Sequence, residues 1–260
     1  MADNVLYALD ARIATLTINR PDTLNSIDIA TVAALIAGVE RALADEAAVL
    51  VLTGAGRAFC SGADLGAALD ENLKPEDIDL GAPMRSHYGL LVQMLRELPI
   101  PVVIAVNGIA AGGGCALALS GDIIVAAKTA AFRQTFVDIG LMPDMGATWM
   151  MPRLIGRARS RGMALLGEPI PAEMAADWGM IWAVVDDAEL QVKAREIAVK
   201  LASRSASALR LSRQALDEGL ANDYATQLEL EAAGQTTLGR EPAFAAAVQA
   251  FLARRTRKPG

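Results

Sequence analysis

Apolar positions near the start of the chain follow two different periods. Residues 5–9 and 13–18 are two apolar-rich runs on either side of a short polar turn, which predicts a pair of strands. Asp28 precedes a segment in which apolar residues recur three or four positions apart, so we expect a helix capped by Asp28 and ending near Asp45. The continuous apolar run 48–53 predicts a buried parallel strand.

Strands and helices continue to alternate along the chain. Further strands are predicted at residues 102–106, 123–126 and 184–185, and helices at 84–97 and from Met145, Arg157 and Pro171. From residue 188 to the end the pattern is helical, with breaks near residues 203–205, 222 and 239. This order predicts the α/β class, with a core over residues 1–200 and a C-terminal helical region over 201–260.

Composition and charge narrow the possible functions. Hydrophobic residues make up 53% of the chain and charged residues 21%, which is typical of a globular protein. The net charge of −6 argues against a nucleic-acid partner. The sequence shows no long uncharged apolar run that would span a membrane, and no secretory signal at the N-terminus. We therefore expect a cytoplasmic protein without a membrane partner.

Cysteine and histidine are too few for several kinds of site. The two cysteines, Cys60 and Cys115, form neither a CxxC pair nor a disulfide framework, and we expect both to be small buried side chains. His87 is the only histidine, so a multi-histidine metal site is excluded, and we expect His87 to be a partly exposed helix residue. No metal is therefore predicted.

Two segments rich in small residues each follow a predicted strand. The first, residues 58–65, contains Asp64, which can cap a following helix. The second, residues 107–116, contains three consecutive glycines where a helix is expected to begin. Glycine in a helix interior costs about 1 kcal/mol relative to alanine. Two explanations remain open: close packing of helix on sheet, or a backbone amide directed at an anion.

Five shorter motifs accompany these two segments along the chain. Taken with five shorter motifs, they resemble the crotonase superfamily, also called the enoyl-CoA hydratase/isomerase family, in order from about residue 5 to about residue 255. The motifs are Asn19–Arg20–Pro21, Leu24–Asn25–Ser26–Ile27, Asp122–Ile123–Ile124, Gly140–Leu141–Met142–Pro143 and Glu241–Pro242–Ala243–Phe244.

The resemblance implies a fold, an assembly and a ligand. It implies a spiral of ββα units forming roughly perpendicular sheets, with C-terminal helices that assemble a homotrimer or a hexamer made of two trimers. The backbone N–H groups of Ala63 and Gly113 would form an oxyanion hole for an acyl-CoA thioester. Backbone at Ala63, Asp64, Leu65 and Gly66 would contact coenzyme A, which is part of the substrate rather than a separate cofactor. Asp64 itself is expected to be a cap rather than a catalyst.

The sequence departs from the hydratases of this family at two positions. Where the resemblance places their two catalytic glutamates, this chain has Ala116 and Phe136. Syn addition of water normally needs one carboxylate to activate water and another to handle the α-carbon proton. Classical hydration is therefore disfavoured. Phe136 and Met142, with Met145 and Trp149, are expected to line the acyl pocket.

Asp144 is the remaining acid in a promising place. It has two interpretations: an N-cap for the helix containing Trp149, or a carboxylate that faces the acyl group. The resemblance favours the second, because epoxyphenylacetyl-CoA isomerases, Δ3,Δ2-enoyl-CoA isomerases and chlorobenzoyl-CoA dehalogenases carry an aspartate here. One carboxylate suffices for a 1,3-proton shift, and apolar neighbours would raise its pKa toward neutrality. Asp138 is the next candidate acid, although a surface position is expected for it.

Three alternatives to isomerisation stay open. A dehalogenase of this family needs a histidine and a tryptophan where this chain has Gly89 and Phe136. A hydratase would need a non-standard acid and base, and a non-catalytic acyl-CoA binder would need neither. One branch of the family binds RNA through a lysine-rich helix, which this sequence lacks.

Overall fold

The computed structural model describes residues 3–64, 66 and 74–256. The chain divides into two compact units, residues 1–200 and 201–260. In the described part of the first unit, ten strands form two sheets. The strands are β1 Val5–Asp10, β2 Ile13–Ile18, β3 Val49–Gly54, β4 Ala58–Cys60, β5 Val102–Val106, β6 Ile109–Ala111, β7 Ile123–Ala127, β8 Ala131–Arg133, β9 Ile170–Pro171 and β10 Ala183–Val185.

The larger sheet has the order β1-β2-β3-β5-β7-β10 and the smaller sheet the order β4-β6-β8-β9. In the larger sheet only β1 and β2 pair antiparallel, and in the smaller sheet only β8 and β9 do. Every residue of β3 and of β5 is buried, as expected for central strands of a parallel sheet covered on both faces.

Helices connect the strands in a repeated order. The helices of the described residues, apart from short single turns, are α1 Ile29–Ala44, α2 Gly89–Glu97, α3 Gly113–Leu119, α4 Ala147–Leu166, α5 Ala172–Asp177, α6 Leu190–Ala202, α7 Ala206–Glu218, α8 Tyr224–Gly239 and α9 Pro242–Thr256. Each of β3, β5 and β7 lies in the larger sheet and is followed within four residues by a strand of the smaller sheet. The chain then enters a helix after β6 and after β8. This ββα repeat confirms the α/β spiral expected from the resemblance.

The sequence pattern found the long elements and missed the short ones. Strands β4, β6 and β8 were not predicted, because three residues are too few to show a period. The helices expected from Met145 and from Arg157 form one span, α4, whose interruption is Gly156 at φ 74° and ψ 169°. The predicted helix at 84–97 begins as a π-helix, Met84–Tyr88, before it continues as α2.

The cap predicted for α1 is present. Asp28 has an extended backbone and its carboxylate accepts a hydrogen bond from the Thr31 N–H at 2.7 Å. Thr31 Oγ1 donates a second bond to the same oxygen at 2.7 Å. These bonds supply an acceptor that the first turn of the helix lacks internally, so α1 begins at a defined residue.

Asn25 ties the start of the chain to the end of β3. It is fully buried and its backbone is left-handed, with φ 57°. Its amide nitrogen donates to the carbonyl oxygens of Ala55 and Ala58, and its Oδ1 accepts the backbone N–H of Arg20. One side chain therefore satisfies three backbone groups at the entrance to β4.

The second unit consists of helices α7, α8 and α9, so the expected C-terminal helices are present. Ser205 caps α7 through the Ala208 N–H, and Asp223 caps α8 through the Thr226 N–H. Among the described residues, none of the helices combines the length and the apolarity needed to cross a bilayer.

Replacing Asn25 by alanine removes hydrogen bonds that buried backbone groups cannot replace with water. We expect Asn25→Ala to lower the free energy of unfolding by about 3 kcal/mol, measured by urea denaturation. Asn19→Ala is the matched control, because Asn19 donates to the carbonyl of Asp3 in an exposed bond. Equal losses in the two variants would contradict the role given to Asn25.

Candidate active site

Two backbone N–H groups from different segments lie side by side at the junction of β4 and α3. A Cβ atom built on Gly113 would lie 4.0 Å from the nitrogen of Ala63, and one built on Gly62 would lie 3.3 Å from the nitrogen of Gly113. The flanking bonds, from Ile27 N to Gly62 O and from Asp64 N to Ile27 O, hold the Ala63 segment in place. Neither the Ala63 nor the Gly113 N–H donates to any described residue. Both are available to an outside acceptor.

The three consecutive glycines meet three different requirements. Gly112 has φ 53° and ψ −124°, a conformation that a side chain disfavours. A Cβ on Gly113 would lie 2.7 Å from the sulfur of Met145. A Cβ on Gly114 would lie 2.1 Å from the carbonyl oxygen of Cys60, so α3 packs directly on the backbone of β4. The close packing of helix on sheet is therefore confirmed, and an amide directed at an anion stays a prediction.

Arg20 holds the segment on the other side of Ala63. Its guanidinium donates to Asp64 Oδ2 at 2.9 Å and to the carbonyl oxygen of Ser26 at 2.6 Å, and it lies 3.5 Å from Asp28. Ser26 Oγ also donates to Asp64 at 3.2 Å. The Asp64 carboxylate is thus occupied by Arg20 and Ser26, which fits a structural rather than a catalytic role.

Asp144 does not cap helix α4. The helix begins at Ala147, its N-cap is Gly146, and among the described residues no side chain accepts an N–H of its first turn. The Oδ1 atom of Asp144 is buried and, among the described residues, has no hydrogen-bond partner. Burial raises the pKa of Asp144 from 3.8 to about 6, and a bond from its own backbone N–H opposes that rise. The capping interpretation is therefore wrong, and the carboxyl is a candidate proton carrier.

The segment that carries Asp144 reaches Gly113 through the next residue, Met145. Its neighbour Met145 is buried, with its sulfur over Gly113. Asp144 is also within electrostatic reach of Tyr88, which is 8% exposed and donates a hydrogen bond to the carbonyl oxygen of Ile27 at 3.1 Å. That carbonyl also accepts the N–H of Asp64, next to Ala63. Tyr88 therefore lies within electrostatic reach of Asp144 and also contacts the Ile27 carbonyl that holds the segment next to Ala63.

Tyr88 was missed by the sequence analysis. Burial, then the negative charges of Asp28, Asp144 and Asp64 and the thiol of Cys60, raise the pKa of its phenol. Its position depends on the π-helix Met84–Tyr88, a rare form that occurs often at functional sites. The α-helical period gave no sign of this extra residue, although a tyrosine in an apolar helix face would have been a signal.

The other predicted site residues have different outcomes. Phe136 is buried, and its ring would lie 3.8 Å from a Cβ atom built on Gly112. It therefore lies beside the glycine that precedes the Gly113 amide. Ala116 is fully buried in α3. Met142 is 70% exposed, so its contact with an acyl group stays a prediction. Gly66 is helical, while Leu65 lies outside the described residues, and their contacts with coenzyme A also stay predictions.

The remaining titratable candidates lie elsewhere or on the surface. Asp138 is exposed and forms an ion pair with Arg133 at 3.0 Å, as expected of a surface aspartate. His87 is partly exposed, and its ring lies 2.8 Å from Ser86 Oγ. Cys60 and Cys115 are buried, and burial raises the pKa of each thiol to about 12. In the described part of the chain, no three His, Cys, Asp or Glu side chains form a group that could hold a metal ion.

Comparison with known proteins places the chain in a family. The sequence matches the model of the enoyl-CoA hydratase/isomerase family over residues 9–259. The chain belongs to the enoyl-CoA hydratase/isomerase family. The two free amides and the ββα spiral are therefore features of a family member.

Relatives of this family member carry two kinds of name. The 1,2-epoxyphenylacetyl-CoA isomerase of Escherichia coli (strain K12) is 44% identical, over 98% of each chain. A protein of Rhodobacter capsulatus named "Probable enoyl-CoA hydratase" is 43% identical, over 96% of this chain and 95% of its own length. The crystal structure of an enoyl-CoA hydratase from Bacillus anthracis superposes with a TM-score of 0.89 at 31% identity, covering 99% of this chain and 98% of the other.

Alanine at Gly114 tests the close contact between α3 and β4. The new methyl group would require a backbone shift, so we expect Gly114→Ala to lose about 1–3 kcal/mol of stability and most acyl-CoA turnover. Gly162→Ala in α4 is the matched control, since a Cβ there meets nothing within 4 Å and alanine favours the helix. Thermal unfolding and turnover of both variants are measured. A Gly114→Ala enzyme as stable and active as the control would contradict the packing argument.

The raised pKa of Asp144 predicts a pH-dependent stability. Between 3.8 and about 6 the folded state binds the proton more tightly, so this contribution to stability is present at low pH and lost as pH rises through about 6. Asp144→Asn stays neutral throughout. We therefore expect its melting temperature to rise relative to that of the wild type between about pH 4.5 and about pH 6, and the difference to stay level above about pH 6.5.

Asp28→Asn is the control for this titration. The pKa of Asp28 is lowered by the Thr31 bonds and by Arg20, against the effect of its partial burial, so its titration falls below that pH window. The difference in melting temperature between wild type and Asp28→Asn should stay constant across the window. A constant difference for Asp144→Asn as well would refute the raised pKa.

Proposed function

We propose that this protein isomerises acyl-CoA thioesters, with Asp144 carrying the proton and the N–H groups of Ala63 and Gly113 stabilising the enolate oxygen. The observation that supports it most directly is the buried Oδ1 of Asp144, which has no hydrogen-bond partner among the described residues and belongs to the residue before Met145, whose sulfur lies over Gly113. The substrate would be a 3-enoyl-CoA or an epoxide related to the one in the name of the Escherichia coli relative. Coenzyme A is then part of the substrate.

For a 3-enoyl-CoA, the proposed step is a 1,3-proton shift. The Asp144 carboxylate removes a proton from the carbon next to the thioester carbonyl, and the electrons of that C–H bond form an enolate. The enolate oxygen accepts two backbone hydrogen bonds, an interaction for which one donor is typically worth about 2.7–4 kcal/mol. The Asp144 carboxyl then returns the proton two carbons along, and the double bond moves into conjugation with the carbonyl.

The acidity of Asp144 suits this step. A proton carrier works best when its pKa lies near the working pH, and a pKa of about 6 is closer to neutrality than that of an ordinary aspartate. Water exclusion has the same origin, because the burial that raises the pKa also keeps solvent from Oδ1. Ala116 and Phe136 offer no second acid for the addition of water.

Hydration is the second candidate, because the Rhodobacter capsulatus relative is named for it. It would require Asp144 to act with a group other than a second carboxylate, for which Tyr88 is the titratable neighbour. Product mass separates the two reactions: isomerisation leaves the mass of the thioester unchanged, whereas hydration adds one water molecule. A cytoplasmic location and assembly as a homotrimer or hexamer are further parts of the proposal.

Asp144→Asn removes the proton carrier and keeps the size of the side chain. We expect turnover of a 3-enoyl-CoA to fall by about three orders of magnitude, because general acid–base catalysis typically contributes 10²–10⁴-fold. Binding of the thioester, measured by calorimetry, should change little. Mass spectrometry and the absorbance of the conjugated product follow the reaction.

Asp138→Asn serves as the matched control for this variant. Its carboxylate is exposed and paired with Arg133, so turnover should stay within a few-fold of the wild type. An Asp144→Asn enzyme with turnover near that of the wild type would refute the assignment. Intact binding without turnover of any enoyl-, epoxy- or aroyl-CoA by the wild type would instead favour a non-catalytic binder.

A further inference from the structure

Asp144 is connected to α4 by a tight turn with a left-handed backbone. Met145 has φ 48° and Gly146 has φ 80° and ψ 1°, so two successive residues are left-handed. The N–H of Ala147 donates to the carbonyl oxygen of Asp144 at 2.9 Å, which closes the turn. These are the features of a type I′ turn, which normally joins two strands. Here it leads into a helix.

The conformation is costly and is held by packing. A methionine with positive φ is rare, and such residues persist where the surroundings over-determine them. Met145 is 4% exposed, and its sulfur fills the space over Gly113. At Gly146 a Cβ would meet only ordinary contacts, at 3.6 Å from Met150 and 3.9 Å from Val92. Glycine is therefore required there for its backbone angle and not for space.

Two other aspartates of this chain cap helices, which is the interaction that the turn denies to Asp144. Asp28 and Asp223 stand immediately before α1 and α8 with extended backbones, and each accepts a backbone N–H of the first helical turn. Both have a pKa lowered by those bonds. Asp144 instead stands two residues before the N-cap of α4, and its Oδ1 receives no hydrogen bond from a described residue.

We infer that Met145 and Gly146 are positioning residues that withhold the N-terminus of α4 from Asp144 and so keep its Oδ1 atom without a hydrogen bond from the described residues. This inference rests on the proposed function of Asp144 in proton transfer. Release of the turn would let the carboxylate accept N–H groups of α4, as Asp28 does at α1. Such bonds favour the ionised form and weaken it as a base.

The surroundings of Asp144 indicate that its raised pKa comes from burial in this conformation and not from a neighbouring charge. Among the described residues, Tyr88 from the π-helix is a titratable group within its electrostatic reach. The guanidinium groups of Arg96 in α2 and Arg153 in α4 stack on the ring of Trp149, at 4.6 and 3.9 Å from its centre. No charged side chain of the described residues contributes to the raised pKa of Asp144; burial does.

The experiment compares two variants that release the turn with one variant that preserves its left-handed backbone conformation. Gly146→Ala penalises the left-handed angle, and Met145→Gly removes the sulfur anchor without adding strain. Gly146→Asn is the conservative variant, because asparagine tolerates the left-handed region. Gly179→Ala is the strain control: Gly179 has φ 76° and lies in the turn after α5.

The readout is the titration of Asp144 itself. Protein labelled with carbon-13 at the aspartate carboxyl is followed by NMR, and the Asp144 signal is the one lost in Asp144→Asn. We expect the midpoint to fall by about one pH unit or more in Gly146→Ala and Met145→Gly, and to stay near the wild-type value in Gly146→Asn and Gly179→Ala. The kcat of the two releasing variants should fall about tenfold with little change in KM.

Unchanged midpoints in the folded releasing variants would overturn the inference. If Gly146→Ala does not fold, Met145→Gly decides the question alone. The titration needs no turnover, so it separates this inference from the proposed function. A midpoint that falls in the releasing variants, together with an active Asp144→Asn enzyme, would uphold the positioning role and refute the assignment of Asp144 as the proton carrier.

Discussion

Backbone meets backbone where α3 lies on β4, and the candidate site depends on that contact. Gly114 leaves no room for a side chain against the carbonyl oxygen of Cys60. The contact joins a strand of the smaller sheet to a helix that begins two residues after β6. Because β4 and α3 approach so closely, the amide that follows β4 and the amide that opens α3 become neighbours. The two donors are thus fixed by main-chain packing and need no flexible side chain.

Asp144 differs from the other helix-flanking aspartates because its Oδ1 has no hydrogen-bond partner among the described residues. Capping aspartates elsewhere in the chain are bonded and acidic, whereas Asp144 is buried and only partly satisfied. An unpaired polar atom in a low-dielectric place is costly, and proteins keep such atoms mainly where they serve a function. The same burial that costs stability gives the carboxyl a pKa of about 6. Stability and chemistry are therefore opposed at this residue.

Much of this arrangement could be predicted from the sequence, and the rest could not, for physical reasons. The strands β3 and β5, the helix α1 and its cap Asp28 follow from local periods and local hydrogen bonding. The proximity of Ala63 and Gly113 came from the family resemblance, since their contact spans fifty residues. Strands of three residues carry no period. The π-helix and the turn at Met145 depend on tertiary packing, so Tyr88 and Gly146 were found only in the structure.

The π-helix Met84–Tyr88 has a consequence for how this scaffold changes its chemistry. It packs one residue more into a turn than an α-helix does, and it ends where Tyr88 reaches the carbonyl of Ile27. Loss of one residue here would restore an α-helix and rotate the preceding side chains by about 100°. The length of this one turn, which lies outside every described strand, thus helps to set which side chain lies beside the carbonyl of Ile27.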